Sequence, residues 1–242
     1  MKTTAIILAA GKGKRMGMDI SKQYLILEGY PVLYYAVKAF EDSNVNNIIL
    51  VVGQGEKEYC KETIVEPYGF KKVRTVIEGG KERYNSVYEG LRIIESFPIY
   101  TDIVLIHDGA RPFVTKEIIN KSIEEGKKHG ACVTAVKAKD TVKLSDGNGF
   151  IKTTPDRSTV WQIQTPQTFS YNIIRKAYDR AIKEGGGNIT DDAMVLEKYG
   201  RWNIKLLEGS YNNIKITTRE DLIFGRAILA KEKKFEKNEK SC

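Results

Sequence analysis

The sequence predicts an α/β fold: a Rossmann-like, mostly parallel but mixed sheet with helices on both faces, plus a protruding β-hairpin arm. Three observations predict it. Short β-branched runs alternate with longer stretches of helical period, the strand-like runs are nearly continuous in apolar residues, and the rhythm breaks once, after Val136. Apolar strands without polar alternation are buried on both faces, which implies parallel strands covered by helices. Ligands of such sheets bind beyond the carboxyl ends of the strands.

The elements follow in order. Strand-like runs are "TAIIL" at 4–8, "NIILVV" at 47–52, "KVRTVI" at 72–77, "DIVLIH" at 102–107 and "ACVTAV" at 131–136. Between them, Pro31 opens a helix that places Leu33, Ala36, Val37 and Phe40 on one face. Tyr84, Val87, Tyr88, Leu91 and Ile94 share a second face, and Ile119, Ser122, Ile123 and Gly126 a third, with Thr115 as N-cap. From Lys137 to Thr159, two short strand-like pieces flank an Asp146–Gly149 turn, the pattern of a hairpin. A lone hairpin is marginal in water, so Val142, Leu144, Phe150 and Ile151 need burial elsewhere. Docking on another subunit, as a homodimer, is the expectation; the alternative is a hairpin folded back onto its own domain. The chain returns through "WQIQTPQTF", a helix over about 171–183, a Gly185–Gly187 loop, a short helix near Asp192–Lys198 and a strand at "NIKLLE". The last helix starts near Thr218, where Thr218 and Asp221 have capping-box spacing. The domain reading is one α/β domain over 1–136 and 160–230, a β-arm over 137–159, and a charged, fraying tail over 231–242.

With 242 residues and 41% hydrophobic content, the chain buries a full core. Its net charge is +8, two charges of which come from the tail, with its five lysines and three glutamates. Such an excess suits nucleic acid, an acidic membrane surface or a phosphorylated substrate, so the placement of the cations decides. Cys60, Cys132 and Cys242 are odd in number and have no paired spacing, which argues against disulfides or zinc and for a reducing cytoplasm. The apolar run Ala5–Ala10 is too short for a secretory signal, and no run approaches the ~20 residues of a membrane span.

The stretch "LAAGKGKRMG", Leu8 to Gly17, places three glycines and three cations at the end of the first strand. Gly11 and Gly13 let backbone N–H groups turn toward a ligand, while Lys12, Lys14, Arg15 and then Lys22 add charge, a combination suited to polyphosphate. The dinucleotide pattern would need glycine at Met16. The Walker pattern would need Gly-Lys-Ser/Thr where Met16-Gly17-Met18 stands. Hydride transfer and P-loop hydrolysis are therefore not supported, and an ordinary solvated turn remains the bland alternative.

Five collinear blocks carry a resemblance: "LAAGKGKRMG…SKQYL", "GGKERYNSV" at 79–87, "HDGARP" at 107–112, "WQIQTPQTF" at 161–169 and "NIKITTREDL" at 213–222. Together they resemble the 2-C-methyl-D-erythritol 4-phosphate cytidylyltransferases of non-mevalonate isoprenoid synthesis, over nearly the whole chain. The resemblance implies that CTP and a polyol phosphate are joined with release of pyrophosphate. A phosphate monoester loses its second proton near pH ~6, so the nucleophile is already largely anionic and no general base is obligatory. Only His107 and His129 are present, and His107 reads as a core residue rather than a catalyst.

By resemblance, Arg15 and Lys22 stabilise charge at the α-phosphate, and Arg157 and Lys215 hold the polyol phosphate. CTP binding falls to Ala9, Ala10, Gly11, Gly13, Gly80, Lys81 and Ser86. Family members often carry aspartate at position 81, so only backbone contact is carried over for Lys81. Asp108, Arg111, Thr141 and Thr165 match positions lining the polyol-phosphate pocket, and Arg111 has a structural alternative before Pro112. The implied cofactor is Mg2+ or another divalent cation, held by the triphosphate, with Asp108 as a possible ligand. If the hairpin crosses between subunits, Thr141 and Arg157 serve the neighbour's site. A ribitol-5-phosphate cytidylyltransferase is the nearest alternative; the small Gly109-Ala110 pair favours the isoprenoid enzymes. A basic nucleic-acid-binding module would want cations spread over a face with stacking aromatics. Here the cations gather at strand ends, so neither a nucleic-acid nor a membrane partner is expected.

Overall fold

The computed structural model describes residues 1–11, 21–96 and 100–239, with side chains through residue 231. Strands β1 (Thr3–Ala9), β4 (Asn47–Val52), β5 (Val73–Glu78), β6 (Ile103–Asp108), β7 (Ala131–Lys137), β10 (Trp161–Ser170) and β11 (Lys205–Glu208) form one sheet, in the order β11-β7-β10-β6-β1-β4-β5. Two short pairs, β2 (Ile26–Leu27) with β3 (Tyr30–Pro31) and β8 (Leu144–Ser145) with β9 (Ile151–Thr153), stand apart. β1 runs parallel to both neighbours, β4 and β6. β10 is antiparallel to both β6 and β7, and β11 is parallel to β7. The sheet is thus mixed and mostly parallel, and its two margins are β5 and the four-residue β11.

Alternation along β1 explains the layering. Ala5, Ile7 and Ala9 join a core with Leu33, Val37 and Phe40 of α1 (Val32–Glu41) and Ile119 and Ile123 of α4 (Lys116–His129). Ile6 faces the opposite core, with Val87 and Leu91 of α3 (Arg83–Ser96) and Ile174 and Tyr178 of α5 (Tyr171–Lys183). The expected helix faces therefore turn toward the cores, with Tyr84 and Tyr88 half-buried at the margin of the second. Thr115 Oγ1 accepts from the Ile118 N–H as the α4 N-cap, and Gly130, at φ 77°, ends that helix in the left-handed conformation.

The last helix, α7 (Arg219–Glu239), opens with a reciprocal cap. Asp221 Oδ2 accepts from the Thr217 and Thr218 N–H groups at 2.7 and 2.8 Å, and the Asp221 N–H reaches Thr218 Oγ1 at 3.4 Å. This helix continues past residue 231, where the sequence suggests a tail, through Glu239.

The hairpin is where the sequence places it. Its turn is closed by Asp146, whose Oδ1 accepts from the Asn148 and Phe150 N–H groups, with Gly147 and Gly149 at φ 91° and 93°. Leu144, Phe150 and Ile151 are 50%, 73% and 67% exposed. The hairpin does not fold back to bury these residues on its own domain.

Candidate active site

Four parallel strands end on one cleft of about 710 Å³. Ala9, Ala10 and Gly11 follow β1, Gly53 and Gln54 follow β4, Gly79 through Arg83 follow β5, and Asp108 and Ala110 end β6; all line it. The sheet reverses its order of winding at β1, and this is the crevice where α/β sheets bind ligands. Two lysines distant in sequence, Lys22 and Lys215, complete the described wall.

The glycine loop after β5 is set by space rather than by a left-handed backbone. A Cβ on Gly79 would meet Ser86 Oγ at 2.5 Å and Ala10 Cβ at 2.9 Å, and one on Gly80 would collide with Asn85. This packing brings the Ser86 hydroxyl, which donates to the Glu82 carbonyl at 3.2 Å, against the end of β1. Nearby, Gln23 anchors the turn that carries Lys22: its side-chain amide donates to the Ala9 carbonyl, and the same Nε2 lies 3.4 Å from Glu56 Oε2. Glu56 also accepts from Ser21 Oγ at 2.5 Å and from the Gly53 N–H at 3.2 Å. One carboxylate thereby links the ends of two strands to the segment leading into Lys22.

Asp108 is the charged centre of the opposite wall. Its Oδ2 lies 2.7 Å from Lys215 Nζ and 3.9 Å from Arg111 Nε, and its Oδ1 lies 3.3 Å from Arg83 Nε. Burial pushes this carboxyl up, but the three cations outweigh it and hold the group far below the usual carboxylate range. Lys215 reaches Asp108 because the Ile216 N–H donates to the Ala110 carbonyl at 2.8 Å, pinning the 213–217 segment beside β6. Arg111 lies behind the wall, donating to the Asn213 carbonyl at 2.8 Å, so its main contacts brace this same segment.

The arrangement does not fit a metal ion held by Asp108. Both carboxylate oxygens already face cations, and a divalent ion there would stand against an ammonium and a guanidinium. Among the described residues, no group of three or more His, Cys, Asp or Glu side chains is placed to hold a metal.

The remaining expected residues divide into three sets. Thr165 turns into the core: its hydroxyl accepts from the Asp108 N–H at 3.1 Å and bonds His107 Nδ1 at 3.0 Å. It thus orients the strand end instead of lining the cleft. His107 is fully buried, with burial pushing its imidazole down to about 4, and its Nε2 lies 3.2 Å from the Arg111 carbonyl. Thr141 and Arg157 are exposed on the arm, away from the cleft wall, with Arg157 donating to the Lys139 carbonyl at 3.2 Å. Gly13 and Arg15 lie outside the described residues.

Sequence reasoning missed Arg83 and its partner Asp192. Arg83 opens α3 within "GGKERYNSV", so a cation beside a glycine loop was a visible signal; nothing local marks a partner 109 residues away. Its guanidinium grips the fully buried Asp192 bidentately, at 2.9 and 2.8 Å. Burial lowers the Arg83 pKa, but the carboxylates of Asp192 and Asp108 more than reverse this and hold it well above its ordinary value.

Glycine loops, ammonium groups and a guarded carboxylate, gathered at the switch point of a mixed α/β sheet, make a site for phosphorylated ligands, and the family match gives its class, a nucleotidyltransferase. A family model described as IspD, 2-C-methyl-D-erythritol 4-phosphate cytidylyltransferase, matches residues 3–231, and the chain belongs to this family. The 2-C-methyl-D-erythritol 4-phosphate cytidylyltransferase of Lachnoclostridium phytofermentans is 53% identical over 234 residues, covering 97% of this chain and 99% of its own. That of Alkaliphilus oremlandii is 52% identical over 229 residues, covering 94% and 95%. Among solved structures, the 4-diphosphocytidyl-2C-methyl-D-erythritol synthase of Anaerococcus prevotii aligns with a TM-score of 0.83 at 34% identity, covering 95% of this chain and 96% of that one.

Proposed function

We propose that the chain transfers the cytidylyl group of CTP to 2-C-methyl-D-erythritol 4-phosphate. The observation that carries this reading is family membership over residues 3–231, joined to a cleft that sets Lys22 and Lys215 around the glycine loops. In the reaction a phosphate oxygen of the polyol phosphate attacks the α-phosphorus of CTP. A new P–O bond forms, the bond between the α- and β-phosphates breaks, and its electron pair leaves on pyrophosphate. Two anions must be brought together, so the barrier yields to fixed positive charge rather than to a base. His107 is neutral at pH 7 and sealed in the core, which suits a mechanism without it.

In this reading Lys22, with Arg15, meets the α-phosphate, and the backbone of Ala9, Ala10, Gly11 and Gly13 cradles the phosphates. The loop at Gly80 and Lys81, with Ser86, receives the cytosine. Lys215 meets the polyol phosphate, with Asp108 as its fixed counter-ion. A divalent ion, Mg2+ in our reading, enters already chelated by the triphosphate, as part of the substrate. The arm supplies Thr141 and Arg157 to the site of a second copy in a homodimer; its exposed Phe150 and Ile151 support such a contact. No described helix is long and apolar enough to cross a membrane.

The test supplies purified protein with Mg2+, CTP and either 2-C-methyl-D-erythritol 4-phosphate or ribitol 5-phosphate, and follows pyrophosphate release. Turnover with the first and little with the second is expected; preference for ribitol 5-phosphate would overturn the reading.

A further inference from the structure

The Arg83 guanidinium joins three parts of the molecule at one point. It belongs to the first residue of α3, directly after the glycine loop on the CTP side of the cleft. Its Nε faces Asp108 Oδ1, while its two terminal nitrogens are taken by Asp192. Asp192 is fully buried and touches no part of the cleft surface. It is itself fixed from behind: the Tyr178 hydroxyl donates to Oδ1 at 2.6 Å, and the Asp192 and Ala193 N–H groups donate to Gln167 Oε1 at 3.1 and 2.9 Å. Gln167 in turn donates to Asp191 Oδ2 at 2.9 Å. A bidentate grip by a carboxylate fixes a guanidinium in plane and direction as a single contact cannot.

Without Asp192, Arg83 would have Asp108 as its only carboxylate partner among the described residues, and would compete with Lys215 for it. With Asp192 in place, Arg83 offers only its Nε edge, and the second Asp108 oxygen is left to Lys215.

We propose that Asp192 is a positioning residue of the transfer reaction, acting through Arg83 to orient Asp108 and so to hold the Lys215 ammonium where the polyol phosphate is received. This rests on the assignment of Lys215 to the polyol phosphate. Arg83 passes the orientation on only through Asp108, whose other oxygen holds Lys215, so an error at Asp192 reaches the second substrate more than the first.

The experiment measures steady-state pyrophosphate release, with each substrate varied in turn, and CTP affinity by titration calorimetry. The variants are Asp192→Asn, Tyr178→Phe, Lys215→Ala and the double variant Asp192→Asn/Lys215→Ala. Asp192→Asn is expected to lower kcat/KM for the polyol phosphate about ten- to a hundredfold, the scale of one charge-assisted hydrogen bond, with CTP affinity changed less than about threefold. Tyr178→Phe, which keeps the buried shape, is expected to move the same parameter in the same direction by a smaller factor, and decides the matter if Asp192→Asn does not fold. The double variant should be little worse than Lys215→Ala alone, because residues acting through one group do not add.

Additive losses, or equal losses in the parameters of both substrates, overturn the proposal and leave Asp192 a stabilising residue only. If Lys215→Ala leaves kcat/KM for the polyol phosphate unchanged, it is the assignment of Lys215 that fails.

Discussion

The cleft wall and the hairpin arm carry matching expectations from the sequence but are built in opposite ways. At the wall, Asp108 ends β6, Arg83 opens α3 and Lys215 sits on the 213–217 segment pinned beside β6, each direction fixed by a partner within hydrogen-bond reach. On the arm, Arg157 and Thr141 are exposed, and of the apolar residues between them Val142 is half-buried while Leu144, Phe150 and Ile151 stay largely open to solvent. The difference teaches that the wall's charged groups are oriented by folding alone, whereas the arm leaves its side chains facing solvent within one chain.

Truncating a ring of the core that supports the wall and a ring of the arm should show this contrast most sharply. Phe40→Ala removes a fully buried ring from the core beneath β1 and should cost about 3–5 kcal/mol in urea unfolding, whereas Phe150→Ser on the arm should stay within about 0.5 kcal/mol for the monomer. A large monomer effect at Phe150 would mean that the arm has an intramolecular partner.

Lys22→Ala should lower kcat about 10²–10³-fold while CTP still binds, the range for removing one preorganised charge from a transition state. Pyrophosphate release together with CTP titration checks this. A loss confined to CTP affinity would reassign Lys22 to ground-state binding.

Acid should strike the cleft wall. The His107 pKa is depressed by burial from its ordinary 6.5 to about 4, so between those values the unfolded chain binds more protons than the folded one. Stability is then full above pH 6.5 and falls as the pH drops toward 4, by roughly 3 kcal/mol over the window at 1.36 kcal/mol per unit. Asp108, whose pKa is also depressed, adds a further loss below its unfolded value of 3.8. Urea midpoints measured from pH 7 to pH 4 should fall for the parent protein and stay flatter for His107→Gln; parallel slopes would place the proton elsewhere.

The smallest signal is the most informative about the arm. Mixing Arg157→Ala with Lys215→Ala protein should restore about a quarter of the parent activity at statistical exchange, because one site of each heterodimer regains both groups. No recovery on mixing would show that each arm serves its own chain.

Much of this was readable before folding, for reasons that are local. Helix faces, the Thr115 cap, the Asp146 turn and the Thr218–Asp221 box depend on residues within four positions of each other, so spacing alone reveals them. The place of β10 was not readable. It lies antiparallel between β6 and β7, yet carries Gln164, Thr165, Gln167 and Thr168, polar residues that look unsuited to a central strand. Their burial is met by contacts from afar: Gln164 donates to the Ser210 carbonyl, Thr168 bonds Ser122, and Gln167 reaches the turn at Asp192. The bond of Thr165 to His107 was hidden as well, because the partner of this buried imidazole lies 58 residues away in sequence. The Arg83–Asp192 pair was hidden for the same reason: its two halves meet only in three dimensions.

The sheet's margins carry one last consequence. β11 is four residues long and bracketed by exposed Lys205 and Glu208, and β5 bears exposed Arg74 and Glu78. Short, ionic borders are poor templates for strand addition by a neighbouring molecule. Both borders of the sheet thereby resist edge-to-edge extension into a continuous intermolecular sheet, the first step toward fibrils.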